Sequence, residues 1–553
     1  MLGSLLSSLL AVWDWQPARR WHGHLAFLIP AAGILGALIY VGAVPTHACG
    51  HDAFQLLDGA WRILNGQRPH VDFYSPLGPV TYLAGAAGMA IGGLRVEGIG
   101  YAAALAALLV GVWAYGLLVS RMRFTPAVVT SLFLMLLTAT PVPLGAGPPS
   151  LSHAMAYNRL GYALAALVLI ETLEAPPGAR RRSRREFLAG LSSGALCILL
   201  LFEKASYFAV AIAFVAAFAL VRPRGRWGWA GVLAGAAVAF AAAAVYLKLD
   251  VAAFVSDQAM AGQVRRQLLH LLPLVATAWR YQGQFVLVLF LAILITIWRA
   301  PQKEPLGLRG WKWIAAAITV FGADILLLST NAQDAGLPLS TILVVLMAGS
   351  SQELRLTGAP ADPAQLRGVR ASCAAGAVLA LGVLACPDTV SLLQAIREKW
   401  RGPAGRQVVL FDSAPLRGWV LYDLPDANHP LAYSNGSKYV GCVNDGIRLL
   451  RRESTPDATV TTLEQVNPFP YALQRKPARG GATFMASGYT FSDVAKPPAE
   501  RLFGNADVVM VPKRSFTDAG QHGALVRNYL PYVQQAYSLA AQSSCWWMYR
   551  RRQ

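Results

Sequence analysis

Charge is what this sequence is short of. Only 14% of its 553 residues are charged, and acids are the scarcer sign, with 29 Asp and Glu against 48 Lys and Arg. Beside 55% hydrophobic residues and a mean hydropathy of +0.42, so little charge excludes one soluble domain. The chain reads as an integral membrane protein with a polar tail. Cysteine is also scarce, six in all, and no dense Cys/His cluster occurs, so no metal is predicted. A Gly-rich phosphate loop is missing as well.

What is there is a series of apolar stretches. Leu5 to Val12, followed by Arg19-Arg20, is too short to span and lacks a small-residue cleavage site, so it predicts an interfacial cytoplasmic helix. His24 to Val44 is the first span. The arginines at its amino end place the amino terminus inside and the following loop, 45–97, outside. Tyr82 to Leu94 is short and glycine-rich and reads as a membrane-surface or re-entrant helix. Spans two to eleven then fall near 98–119, 124–141, 158–174, 187–203, 205–221, 228–247, 283–299, 312–329, 337–350 and 371–388.

The basic clusters agree with this topology. Arg121/Arg123, Arg180-Arg181-Arg182 with Arg184-Arg185, Arg222/Arg224/Arg226, Arg299/Lys303/Arg309/Lys312 and Arg355/Arg367/Arg370 all fall in loops placed inside. They account for much of the +19 formal charge without nucleic acid. The expected fold is therefore a polytopic α-helical membrane protein of about eleven transmembrane helices, residues 1–390, with an extracytoplasmic α/β domain, 391–553.

The tail carries β-rich runs, Val408 to Phe411 and Ala506 to Val511, among Gly/Pro/Asn turns, and a helix expected at Ala524 to Ala541. Cys442 and Cys545 are its only cysteines. Outside the cell they are open to bridging, or they stay unpaired thiols. The turns Asn467-Pro468-Phe469-Pro470 and Arg479-Gly480-Gly481 are either structural or an acceptor contact.

The first external loop has the richest grammar. After Cys49, His51 and Asp52, the residues Phe54, Leu56, Leu57, Ala60, Trp61, Ile63 and Leu64 recur at helical spacing, and Asn65-Gly66 stops the helix. Pro69 to Pro79 holds too many prolines for a helix and predicts an extended turn. The loop is thus a short helix at a membrane surface with a carboxylate at each end.

An Asp after the first span, an amphipathic helix ending in Gly66-x-x-Pro69, a second Asp at 72, then Gly78-Pro79-x-x-Tyr82 resemble the first external loop of the C-type (GT-C) glycosyltransferases. These are polytopic enzymes that take sugars from polyprenyl-phosphate donors, the protein mannosyltransferases and aminoarabinose transferases among them. The motif covers roughly fifty residues. It implies that Asp52 is the catalytic base. Many members carry Asp-Glu here, whereas this chain has His51-Asp52-Ala53, so no second adjacent acid is supported. No convincing D-x-D motif for a soluble nucleotide sugar occurs either, which favours a lipid-linked donor.

Such a transfer needs a base, cations for the departing phosphate and a groove for the lipid. Asp52 is the first base candidate and Asp72 the second. Their alternative roles are a helix N-cap for 53–64 and a carboxylate that holds the turn before Phe73-Tyr74. His51 is a relay, a metal ligand or a structural donor, and Tyr74 is a further site candidate. Glu203-Lys204 lies where two spans turn at the outer face, costly unless used or mutually paired. The resemblance associates a lysine at this place with the donor phosphate. Arg265, Arg266, His270 and Arg280, in the external loop 248–282, read as a surface helix facing lipid phosphate, whether the donor's or a head group's. Arg159 is another phosphate candidate, and Asp324 an intramembrane acid without an assigned role.

The sequence reading is thus an inverting transfer of a hexosyl or pentosyl group from a polyprenyl-phosphate donor to a glycolipid, polysaccharide or protein acceptor. It is placed at the outer face of a bacterial-type inner membrane. No cofactor is predicted, though a divalent metal stays open because some relatives use one. Membrane lipids are the expected surroundings and nucleic acid is not a partner. A lipid or solute transporter would more naturally show two similar halves with broken helices, and a non-catalytic subunit of an envelope complex is the other alternative.

Overall fold

A computed structural model describes residues 2–173, 183–221, 224–264, 271–299, 307–331, 336–350, 363–403, 408–423, 436–516 and 519–552. The amino-terminal part is helical throughout: α1 (Leu2–Trp13), α2 (Arg20–Val41), α3 (Gly50–Leu64), α4 (Pro79–Ile91), α5 (Gly98–Val119), α6 (Phe124–Ala139), α7 (Ala156–Leu173) and α8 (Ser183–Leu201). It continues with α9 (Ala205–Val221), α10 (Arg226–Tyr246), α11 (Val251–Val264), α12 (Leu271–Ala278), α13 (Gln284–Arg299), α14 (Gly307–Thr330), α15 (Pro338–Ser350) and α16 (Pro363–Arg401). A helix therefore lies on every stretch read as a span. Among the described residues α2, α5, α10, α14 and α16 are long and apolar enough to cross a membrane, which makes this a helical membrane protein. Of the basic clusters, Arg180, Arg181, Arg182, Arg222, Lys303 and Arg355 lie outside the described residues.

The bundle is built around α7 and α15. Residues from Tyr162 to Ile170 and from Leu339 to Ala348 are buried. Beside them α8 and α10 pack backbone to backbone, and a Cβ on Gly231 would stand 2.1 Å from the Phe187 carbonyl oxygen, so only glycine fits. Three ion pairs tie α16 along its length: Arg370 to Asp14 after α1, Asp388 to Arg159 on α7, and Glu398 to His47 after α2. The helix continues to Arg401, past the boundary drawn at 390/391. Asp324 is explained by capping: its Oδ2 accepts the Ser340 amide and hydroxyl at 2.9 and 2.6 Å, at the amino end of α15.

The tail holds a four-stranded sheet of order β1 (Val460–Thr462), β2 (Val508–Pro512), β4 (Trp546–Arg551), β3 (Tyr537–Gln542), with β1 and β2 parallel and the other pairs antiparallel. Alternation splits β2 between two cores. Val508 and Met510 face one and Val509 and Val511 the other. Helix α17 (Gly436–Glu453), not anticipated from sequence, covers the first face with Tyr439, Val440, Val443, Ile447 and Leu450. Cys442 on α17 is disulfide-bonded to Cys545 beside β4.

Three sequence expectations change. Val408 to Phe411 form no strand, because Phe411 instead stacks on Trp419, ring centroids 5.5 Å apart. The helix expected at 524–541 runs instead over Ala519–Ala536, and the chain from Tyr537 pairs with β4, a partner that local periodicity does not see. Third, α3 is more than a surface helix, because the tail covers it. Ala53, Phe54, Leu57, Ala60 and Trp61 are buried in the core that contains Val508, Met510 and Tyr439, so the first loop is a structural layer of the tail domain.

Candidate active site

The site is built on α3. Cys49, in the left-handed region at φ 52°, turns the chain so that the helix starts at Gly50, three residues before the expected start. Asp52 then falls within the first turn, where the helix dipole favours a carboxylate. It is not the cap, since Cys49 occupies that position without a side-chain hydrogen bond. His51 is buried and its Nε2 lies 3.0 Å from Asp52 Oδ1, while the Asp52 side chain keeps 13% of its surface open. Tyr439 of α17 stands near: burial first, then the charges of Glu464 and Asp52, hold its phenol well above the ordinary range.

The other end of α3 is stitched to the tail. Arg62, fully buried, donates to Asp58 at 2.8 Å, to Gln67 at 3.1 Å, and to the carbonyls of Ala478 and Gly480 at 3.0 and 2.8 Å. Burial raises the Asp58 carboxyl against the pull of Arg62. Asp72 acts within the turn: its Oδ2 accepts the Arg68 amide at 2.9 Å, and its carbonyl accepts the Gly480 amide. Tyr74 is buried, its hydroxyl donating to the Thr490 carbonyl at 2.6 Å and its amide to Gly481. Both residues hold the turn against the tail in this arrangement.

The Glu203-Lys204 turn meets the start of α4. Gly78 and Val80 donate their amides to the carbonyls of Glu203 and Phe202, an approach open only to glycine at 78, where a Cβ would come 1.9 Å from the Phe202 carbonyl oxygen. Glu203, fully buried, accepts the Thr81 hydroxyl at 2.6 Å. Lys204 reaches the other way, to the Thr330 carbonyl at 3.2 Å, to Asn331, and over the Tyr157 ring at 5.4 Å from its centroid. Asn331 continues to Tyr207 and the Asn158 carbonyl.

Between these two corners lies an apolar cleft, open at its mouth and walled by α3 to α7. Leu56 and Ala60, one and two turns beyond Asp52 on the same face of α3, line one wall, and Thr81 and Tyr157 line others. Asp52 therefore adjoins it through α3, and Lys204 through Tyr157. Neither is among its lining residues, nor are Asp72 or any residue of 248–282. His153 lines it too: its Nε2 accepts the Val44 amide at 2.9 Å, and burial pushes its pKa down to about 4.

The remaining candidates are elsewhere. Arg159 is buried and bonded to both oxygens of Asp388 at 3.2 and 2.9 Å and to the Val142 and Leu137 carbonyls. Arg280 is exposed on a π-helical turn, Trp279–Gly283. Arg265, Arg266 and His270 lie outside the described residues. Sequence reading passed over Asp257 and Arg501, which meet His70 in a buried cluster, Asp257 Oδ2 lying 3.0 Å from His70 Nδ1 and Oδ1 2.6 Å from Arg501 Nη1. The only local signal was one acid on an otherwise uncharged helix. Among the described residues no group of three or more His, Cys, Asp or Glu is placed to hold a metal ion.

No protein-family model matches the chain, and no curated protein does. Among solved structures it is similar to the crystal structure of ArnT from Cupriavidus metallidurans bound to undecaprenyl phosphate, at 13% identity over 95% of this chain and 98% of that one, with a TM-score of 0.47. It is also similar to the same protein's apo structure, at 13% identity over 94% and 97% of the two chains, with a TM-score of 0.42.

Proposed function

We propose that the chain is an inverting glycosyltransferase that moves a sugar from a polyprenyl-phosphate donor to a cell-envelope acceptor at the outer membrane face. The observation that carries this reading is one arrangement: the mostly buried Asp52 carboxylate, still open over a small part of its surface, at one end of an apolar cavity wall, and a lysine ammonium over Tyr157 at another. The motif Asp52, Asp72, Gly78-Pro79-x-x-Tyr82 supports it from the sequence side. A disulfide in the tail domain supports an oxidising, extracytoplasmic side for it, and on the sequence reading of eleven crossings the same face carries α3.

In this reaction Asp52 takes the proton of the acceptor hydroxyl as its oxygen bonds to the anomeric carbon. The bond from that carbon to the phosphate oxygen breaks on the opposite side, and polyprenyl phosphate departs beside Lys204. Attack opposite the leaving group inverts the anomeric centre. The apolar cavity gives the lipid a place next to both groups.

Removing a general base costs a factor on the order of 10²–10⁴ in rate. Asp52→Asn should therefore nearly abolish turnover of a polyprenyl-phosphate sugar while leaving donor binding intact. Near-normal turnover, or product with retained configuration, would defeat the assignment. Unchanged envelope glycans in cells carrying Asp52→Asn would favour a transporter or a scaffold.

A further inference from the structure

A buried ionic junction stands apart from the apolar cavity. On helix α11 Phe254 and, one turn on, Asp257 are the buried residues, and the Asp257 side chain has no open surface. A carboxylate held so far from water is costly unless its oxygens are taken. Here they are: Oδ1 accepts Arg501 Nη1 at 2.6 Å, and Oδ2 accepts Arg501 Nη2 at 3.1 Å, His70 Nδ1 at 3.0 Å and the Ser75 amide at 3.4 Å.

Those partners come from two other parts of the chain. His70 and Ser75 belong to the proline-rich turn of the first loop, and Arg501 to a short tail helix, Ala499–Phe503. Arg501 also donates to the His70 carbonyl at 2.8 Å and lies over the Tyr74 ring. Gln258, next to Asp257, donates to the Pro76 carbonyl at 3.3 Å. His70 itself sits at φ 71°, a left-handed backbone unusual for a non-glycine residue and kept only where its surroundings over-determine it. The turn so gripped carries Asp72 and leads through Gly78 into α4, whose Thr81 lines the cavity.

We propose that Asp257 is a positioning residue: together with His70 and Arg501 it locks the 69–79 turn between α11 and the tail domain, and so fixes the wall of the site that this turn begins. The proposal rests on the glycosyltransferase reading for its effect on rate, but the lock is defined independently of any reaction. Misplacement by about an ångström costs a reaction on the order of 10²-fold. The loss should fall on kcat, since the junction touches neither the cavity nor Lys204.

The test uses the full-length protein in lipid nanodiscs as wild type, Asp257→Asn, Arg501→Gln and Arg501→Lys. Backbone hydrogen exchange of residues 69–79 is measured alongside turnover of polyprenyl-phosphate hexose and pentose donors. In Asp257→Asn and Arg501→Gln, exchange in the turn should rise at least about tenfold with the strands β1 to β4 unchanged, kcat should fall on the order of 10²-fold, and donor KM should stay near wild type. Arg501→Lys should recover part of both. Unchanged exchange in the turn overturns the lock, and faster exchange with wild-type kcat overturns the positioning role. Should Asp257→Asn not fold, the Arg501 pair decides the same two points. A wild type that turns over neither donor sinks the glycosyltransferase reading, and exchange alone then decides the lock.

Discussion

Lys204 is half-buried, with its ammonium set among a carbonyl, an amide side chain and an aromatic face. A departing phosphate and a bound one would meet the same charge, so Lys204→Ala should weaken donor binding and slow transfer together. Steady-state kinetics on a polyprenyl-phosphate sugar separate this from Asp52→Asn, and a Lys204→Ala enzyme with wild-type KM would count against the phosphate role. His153 makes a different expectation, on stability. Its folded pKa of about 4 lies below the ordinary 6.5, so as pH falls through that window the unfolded chain takes up the proton first. Stability present above pH 6.5 is lost progressively toward pH 4, by about 3 kcal/mol for that shift. Protonation at Nε2 would also end the bond from the Val44 amide. Thermal melts between pH 7.5 and 4.5 should show this slope, reduced in His153→Gln; an equal slope in both would remove the attribution.

Helix α3 is shared between two structures. Its Leu56, Leu57 and Ala60 line the cavity, Leu57 and Ala60 also join the tail core, and Phe54 and Trp61 belong to that core without lining the cavity, with Phe54 in edge contact with Phe411 and Trp419. Trp61 adds a bond from its indole to the Arg475 carbonyl at 2.8 Å. The rate-bearing face and the load of the tail domain thus act through one element. Truncating a fully buried phenylalanine costs about 3–5 kcal/mol. Phe54→Ala should lower the melting temperature and open the tail to proteolysis, and its residual activity should fall along with that stability. Melting and limited digestion at wild-type values would mean that the tail does not depend on α3.

Across the molecule the two ends differ in kind. One end gathers the basic loops, with Arg123 and Arg370 on Asp14 and Arg121 on Glu171 at 2.6 Å. The other gathers α3, the Glu203-Lys204 turn and the disulfide-bonded tail. Basic loops mark the inner side. A reporter fused after residue 400 should accordingly be active only outside, and activity in the cytoplasm would remove the external site.

Much of this could be read from residues in order. Helical spans, the amphipathic run after Asp52, the turn at Pro69 to Pro79 and the isolated Lys204 are all carried by near neighbours: hydropathy over about twenty residues, spacing of three or four, prolines that bar a helix. Contacts between distant segments were decided only in three dimensions. That α3 is covered by the tail, that Tyr537 to Gln542 is a strand, and that Arg159 is bound to Asp388 each depend on a partner over a hundred residues away or, for the strand, on the hairpin it closes. The junction of His70, Asp257 and Arg501 is the plainest instance. Its partners are 187 and 244 residues apart, and a carboxylate's need for donors says that it will find some without saying which.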